Sequence, residues 1–132
     1  MLSISLHGSS KLVAESVMGK SNFETTISNL ESLSNLKKEL NSTIPLININ
    51  FVGMVNNIQD LEGVISLADK IGAPTVNCFH LLDGESVVDG SLSLTTNPSL
   101  ARNHIPNAMK IASELGVALY VSPEYLELIQ SD

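Results

Sequence analysis

Apolar and polar residues along this chain follow two alternating periodicities. Four short stretches, residues 2–6, 44–52, 75–80 and 117–121, have the apolar, β-branched character of strands. Between them, apolar residues return every three or four positions, as one face of a helix requires. The first helical run carries Phe23, Ile27, Leu30, Leu33, Leu36 and Leu40, with Ser21 and Glu24 spaced as a capping box and Lys37 and Lys38 placed at the negative end of the helix dipole. The second opens at Asn57, has Asp60 in its first turn, presents Leu61, Val64, Ile65, Ala68 and Ile71, and stops at Gly72. The third shows Ile105, Met109, Ala112 and Leu115 before Gly116. Asn97 and Pro98 look like its cap and first-turn proline, while Pro106 is expected to kink or restart it. A last short helix from about Pro123 carries Tyr125, Leu126 and Ile129.

Strand, helix, strand at this spacing is the pattern of right-handed parallel βαβ units, and nothing reads as a hairpin. The fold class is therefore α/β. The strands add a second message, because strands covered on both faces read as continuous apolar runs. Here Ser3, Ser5 and His7 alternate with Leu2, Ile4 and Leu6, and Asn48 and Asn50 alternate with Ile47, Ile49 and Phe51. One face is expected to pack under helices, leaving the polar face towards a lumen or cleft. Buried Asn and Ser require partners, so this face either is wet, holds a polar ligand, or satisfies itself across strands.

Composition narrows the class. With 132 residues the chain fits one domain, and a complete (β/α)8 barrel of about 250 residues is out of reach. The reading is a single partial TIM-like barrel over residues 1–132, with about four parallel strands. Seven basic and fourteen acidic residues give a net charge of −7, with no basic face, which argues against nucleic-acid partners. No apolar run reaches about 18 residues, so no membrane partner is expected and a cytoplasmic location is the default. The single cysteine, Cys78, excludes an internal disulfide and any all-cysteine metal site within one chain. Glycine-rich phosphate loops and a GxSxG elbow are also missing.

Several segments together resemble the radical S-adenosylmethionine superfamily around its fourth to seventh barrel strands. The stretch SISLHGSS at residues 3–10 is similar to the family's fourth strand, and VMGKSNFE at 17–24 to its step into a long helix. IPLININFV at 44–52, followed by Asn56, Asn57 and Leu61, resembles the fifth strand and the helix after it. ADKIGA at 68–73 leads to a sixth strand ending at LDGE, residues 82–85, and IASELGVAL at 111–119 resembles the last helix-to-strand step. The resemblance implies a fragment of a larger radical S-adenosylmethionine core. The whole would hold S-adenosylmethionine and a 4Fe–4S iron–sulfur cluster, and this segment would supply part of the cofactor cleft and substrate-side loops. The family's CxxxCxxC cluster loop and Gly-Gly-Glu stretch are missing. The chain alone is therefore expected to bind no such cofactor and to be inactive, and it begins within a strand, as an excised or truncated piece would.

The resemblance also implies site residues. Ser5 matches a serine that contacts the methionine carboxylate of the cofactor in some members; its alternative is a lumen serine bonded to a neighbouring strand. Asn48 and Asn50 align with positions that help hold the ribose and methionine ends, against a plain asparagine ladder. Leu81 aligns near adenine, against an ordinary core leucine. On the substrate side, His7 stands at the strand mouth, where bonding its own loop competes with a general-base role. Asp83, Glu85 and Asp89 lie in the longest irregular stretch, about residues 82–97, which is either a specificity loop or solvated linker. Cys78 and His80 share a strand face but two ligands do not make a metal site, so a buried thiol and a capping imidazole are expected. Two further readings remain: a stand-alone small-ligand or interaction module, and a piece of another barrel or a flavodoxin-like domain. Open sheet edges predict a partner, either the missing N-terminal half-barrel or a second copy forming a homo-oligomer.

Overall fold

Strand-forming and helix-forming stretches alternate in space as they do in sequence. The structure, a computed structural model, describes residues 2–9, 23–80 and 93–130. Its elements are β1 (Leu2–Ser5), α1 (Phe23–Glu39), β2 (Ile47–Gly53), a 3-10 turn (Ile58–Asp60), α2 (Leu61–Ile71) and β3 (Thr75–His80). A second 3-10 turn (Leu94–Thr96), α3 (Pro98–Leu115), β4 (Ala118–Val121) and α4 (Pro123–Gln130) complete it. The four strands are parallel and lie in the order β1-β2-β3-β4. Each strand thus sits beside its predecessor, the order of a barrel wall and equally of one half of a doubly wound sheet. The fold is α/β, with the four parallel strands alternating with helices as a partial barrel does.

The apolar face holds the fold together. Ile47, Ile49 and Phe51 of β2 and Val76 and Cys78 of β3 are fully buried. They form one cluster with Leu61, Val64, Ile65, Ala68 and Ile71 of α2, with Ala101, Ile105, Ala108 and Ala112 of α3, and with Tyr125 of α4. From α1 only Leu30 joins this cluster as a fully buried side chain. Leu36 and Leu40, expected on the packing face of α1, are 49% and 68% exposed, because no described element lies over the outer side of that helix.

Helix ends follow the local chemistry. Gly72 and Gly116 close α2 and α3 with φ of 76° and 75°, the left-handed conformation a side chain disfavours, and each donates its N–H back to the last turn. Pro106 does not break α3, which runs unbroken from Pro98 to Leu115. Its ring sits on the exposed side of the helix, where a missing N–H costs least because water reaches the freed carbonyl. Asn57 does not open a helix directly: the 3-10 turn intervenes, and α2 begins at Leu61. Strand β2 begins at Ile47, three residues later than its apolar run. Ile44 and Leu46 are exposed and the peptide before Pro45 is cis. The capping Ser21 lies outside the described residues.

Candidate functional site

Strand register builds the polar face. Ser3 pairs with Asn48 and Asn48 with Thr75; Ser5 pairs with Asn50, Asn50 with Asn77, and Asn77 with Tyr120. In-register neighbours share a face, so Ser5, Asn50, Asn77 and Tyr120 form one row across all four strands. No helix contributes to the described surface above this row, and Ser3, Ser5 and Tyr120 are exposed.

Three amides lock together at the centre. Asn77 Nδ2 donates to Asn48 Oδ1 at 2.8 Å and to Asn50 Oδ1 at 3.1 Å. Asn48 Nδ2 donates to Asn50 Oδ1 at 3.1 Å and, at 3.5 Å, to Ser3 Oγ. A carbonyl oxygen has two lone pairs, and both of those on Asn50 Oδ1 are taken. Among the described residues these bonds use Asn50 only as an acceptor and Asn77 only as a donor. One amide N–H₂ and one amide carbonyl are therefore left to face outward. The asparagine ladder therefore exists, joining β2 to β3 through side-chain amides.

A second network sits at the C-terminal ends of β1 and β2. Asn57 is fully buried; its Oδ1 accepts from the Met54 N–H at 2.7 Å, and its Nδ2 donates to Val52 O at 2.9 Å and His7 O at 3.3 Å. The Val52 N–H donates to His7 Nδ1 at 3.0 Å. An accepting Nδ1 fixes the neutral tautomer with its proton on Nε2, and burial lowers the His7 pKa from its ordinary 6.5. His7 therefore does not bond its own loop: its ring takes a backbone N–H of β2, 45 residues along the chain. Just beyond it, the Asp60 carboxylate accepts from both the N–H of Ser9 and its Oγ, the latter at 2.6 Å.

Cys78 and His80 point the other way, into the helix layer. Cys78 is fully buried, and desolvation pushes its thiol up to about 12. His80 Nδ1 lies 3.1 Å from Glu124 Oε2, misaligned for a hydrogen bond, and the His80 ring meets Tyr125 edge-on. The Tyr125 hydroxyl donates to Gly53 O at 2.6 Å. No three His, Cys, Asp or Glu side chains gather as metal ligands among the described residues. Of the expected site residues, Ser5, Asn48 and Asn50 come together on one face, and His7 caps the strand ends beside it. Leu81, Asp83, Glu85 and Asp89 lie outside the described residues.

Sequence reasoning missed Asn77, whose alternation with Val76 and Cys78 already placed it on the polar face. It also missed the Asn57 and Asp60 clamps, which nothing in local spacing reveals.

Among the described residues, two cavities open at the opposite end, between the C-terminal parts of α1 and α2. The larger, of about 330 Å³, is lined by Ser34, Lys37, Lys38, Asn41 and Gly72 among others. In barrel folds that end serves stability, and the site lies at the other.

Compared with known proteins, the chain matches no family model and no curated sequence. Among the described residues no helix is long and apolar enough to cross a membrane.

Proposed function

We propose that this chain is a half-barrel supplying one wall of a small-molecule cleft, as the second half of a radical S-adenosylmethionine core would, and that it is not catalytic alone. The observation that carries the reading is the polar sheet face. Four parallel strands in sequential order bury every apolar side chain of β2 and β3 except Val52 and Phe79 on one side, and turn hydroxyls and amides to the other. A sheet destined for a second helix layer carries apolar residues on both faces.

S-adenosylmethionine is the ligand the sequence resemblance implies, and the face suits it: Ser5 is exposed at the end of β1 and the Asn48–Asn50 pair offers both donor and acceptor capacity. When bound within a complete core, that group supplies a carbon-centred radical. This chain's residues would hold its polar ends. The iron–sulfur cluster does not fit here. Ligation needs several thiolates, whereas this chain offers one cysteine, buried, on the helix side of the sheet and with a raised pKa.

The cleft is completed by further strands, from the missing N-terminal half-barrel or from a second copy, pairing with the outer edges of β1 and β4. The same reading makes the protein cytoplasmic.

The test is titration of S-adenosylmethionine into nitrogen-15-labelled protein, followed by backbone and side-chain amide resonances. Shifts confined to Ser5, Asn48 and Asn50 are expected. A spectrum unchanged at millimolar ligand, for the chain and for its assembled form, would sink the cofactor assignment.

A further inference from the structure

Five aromatic residues occur in the chain, and they divide sharply. Phe51 and Tyr125 are fully buried, and Phe23 packs against the same core. Phe79 and Tyr120 are instead 45% and 63% exposed. Both belong to the polar face. Tyr120 is the register partner of Asn77 across β3 and β4, and Phe79 is two residues beyond Asn77 on its own strand. Residues two apart on a strand share a face, as do register partners. Asn77, the hub of the amide cluster, is therefore flanked by two exposed aromatic rings.

We propose that Tyr120, Phe79 and the outward amide groups of Asn50 and Asn77 form a subsite for a planar, uncharged heterocycle with a lactam edge, a carbonyl beside a ring N–H. This rests on the reading of the polar face as a ligand surface, but it is built on β3, β4 and the shared Asn50 of β2 rather than on Ser5 and Asn48. The ring stacks on Tyr120, since flat π-systems gain most from aromatic platforms. Its carbonyl accepts from Asn50 Nδ2, whose Oδ1 is saturated by Asn48 and Asn77. Its N–H donates to Asn77 Oδ1, whose Nδ2 is spent on Asn48 and Asn50. Among the described residues no side chain of this face carries a formal charge, and His7 at the strand ends beside it accepts the Val52 N–H as the neutral imidazole. Aromatic rings on an open sheet also bind single-stranded nucleic acid, but such surfaces carry a positive groove. Among the described residues the face has none, and the chain carries a net charge of −7. A free heterocycle is the occupant that the chemistry selects.

Uracil is the probe, with ribose as the non-planar hydroxylated comparison, each titrated into labelled protein and read by NMR. Uracil should shift the Asn50 and Asn77 side-chain amides and the Tyr120 ring, and ribose should not. Tyr120→Leu, an exposed substitution, should weaken uracil binding about tenfold, and Tyr120→Phe should preserve it, as loss and retention of one stacking platform predict. Equal binding of ribose, or an unchanged affinity in Tyr120→Leu, would overturn the proposal. So would finding that Tyr120→Leu converts a dimer into monomers, because a second copy would then cover the ring. If S-adenosylmethionine shifts Asn48 and Ser5 while uracil shifts nothing, this subsite fails and the cleft reading stands. If neither ligand shifts the face, both fail.

Discussion

His7 shows how one side chain ties chemistry to stability. Its Nδ1 accepts the Val52 N–H, and burial lowers its pKa from 6.5. The unfolded chain therefore binds a proton in a range where the folded chain does not. Stability then rises with pH across that window. The His7 contribution is complete above about 6.5 and is lost as pH falls from there towards the lower folded value. Thermal melts of the wild type and His7→Gln between about pH 5 and pH 8 test this. The wild type should lose more stability on acidification than the variant, and parallel curves would show that His7 titrates unperturbed. Protonation also breaks the bond to Val52, so acid should loosen the mouth of the polar face first. At this scale the sequence was half legible. A strand-end histidine was expected to bond its own loop, but its partner, Val52, is 45 residues away and only the β1–β2 register brings it near.

Between elements, the closest fit joins the loop after β1 to the start of α2. Asp60 takes both hydrogen bonds from Ser9, and Gly63, one turn into α2, lies under the same serine. A Cβ at Gly63 would stand 2.9 Å from the Ser9 Cβ and closer still to its hydroxyl. Glycine within a helix ordinarily costs about 1 kcal/mol relative to alanine, so Gly63→Ala on an open helix would stabilise. Here the clash reverses the sign, and a loss of about 1–3 kcal/mol is expected from urea unfolding. Ser9→Gly in the same chain should recover most of it. If Gly63→Ala is neutral or stabilising, the Ser9 loop does not hold its place against α2. The elements themselves were mostly visible beforehand. The period of three to four placed the four described helices, and Gly72 and Gly116 ended two of them where expected. Pro106 was misjudged because a sequence does not say which side of a helix a residue faces, and on the exposed side α3 absorbs it.

As a whole molecule, the chain has two sheet edges without a described neighbour and an α1 flank with Leu36 and Leu40 in solvent. Unpaired edges recruit strands. Size-exclusion chromatography with light scattering should therefore give a mass about twice the 14.1 kDa of one chain at micromolar concentration. Leu36→Glu with Leu40→Glu should return it to one chain. A mass of 14.1 kDa for the wild type would count against association through these edges.

Alternation of period two and period three to four, read along the chain, was enough to determine an α/β fold, parallel pairing and the division of each strand into an apolar and a polar face. These are local consequences of backbone geometry, and each is written within a few residues. The arrangement of the polar groups is not local. Asn48, Asn50 and Asn77 meet because β2 and β3 pair in one register out of several that the same pattern allows. Asn57 closes on His7 across 50 residues, and Phe79 and Tyr120 flank Asn77 only once β3 and β4 lie side by side. Hydrogen bonds are directional and short, so only the tertiary structure decides which polar groups spend their capacity on each other and which keep it for a ligand.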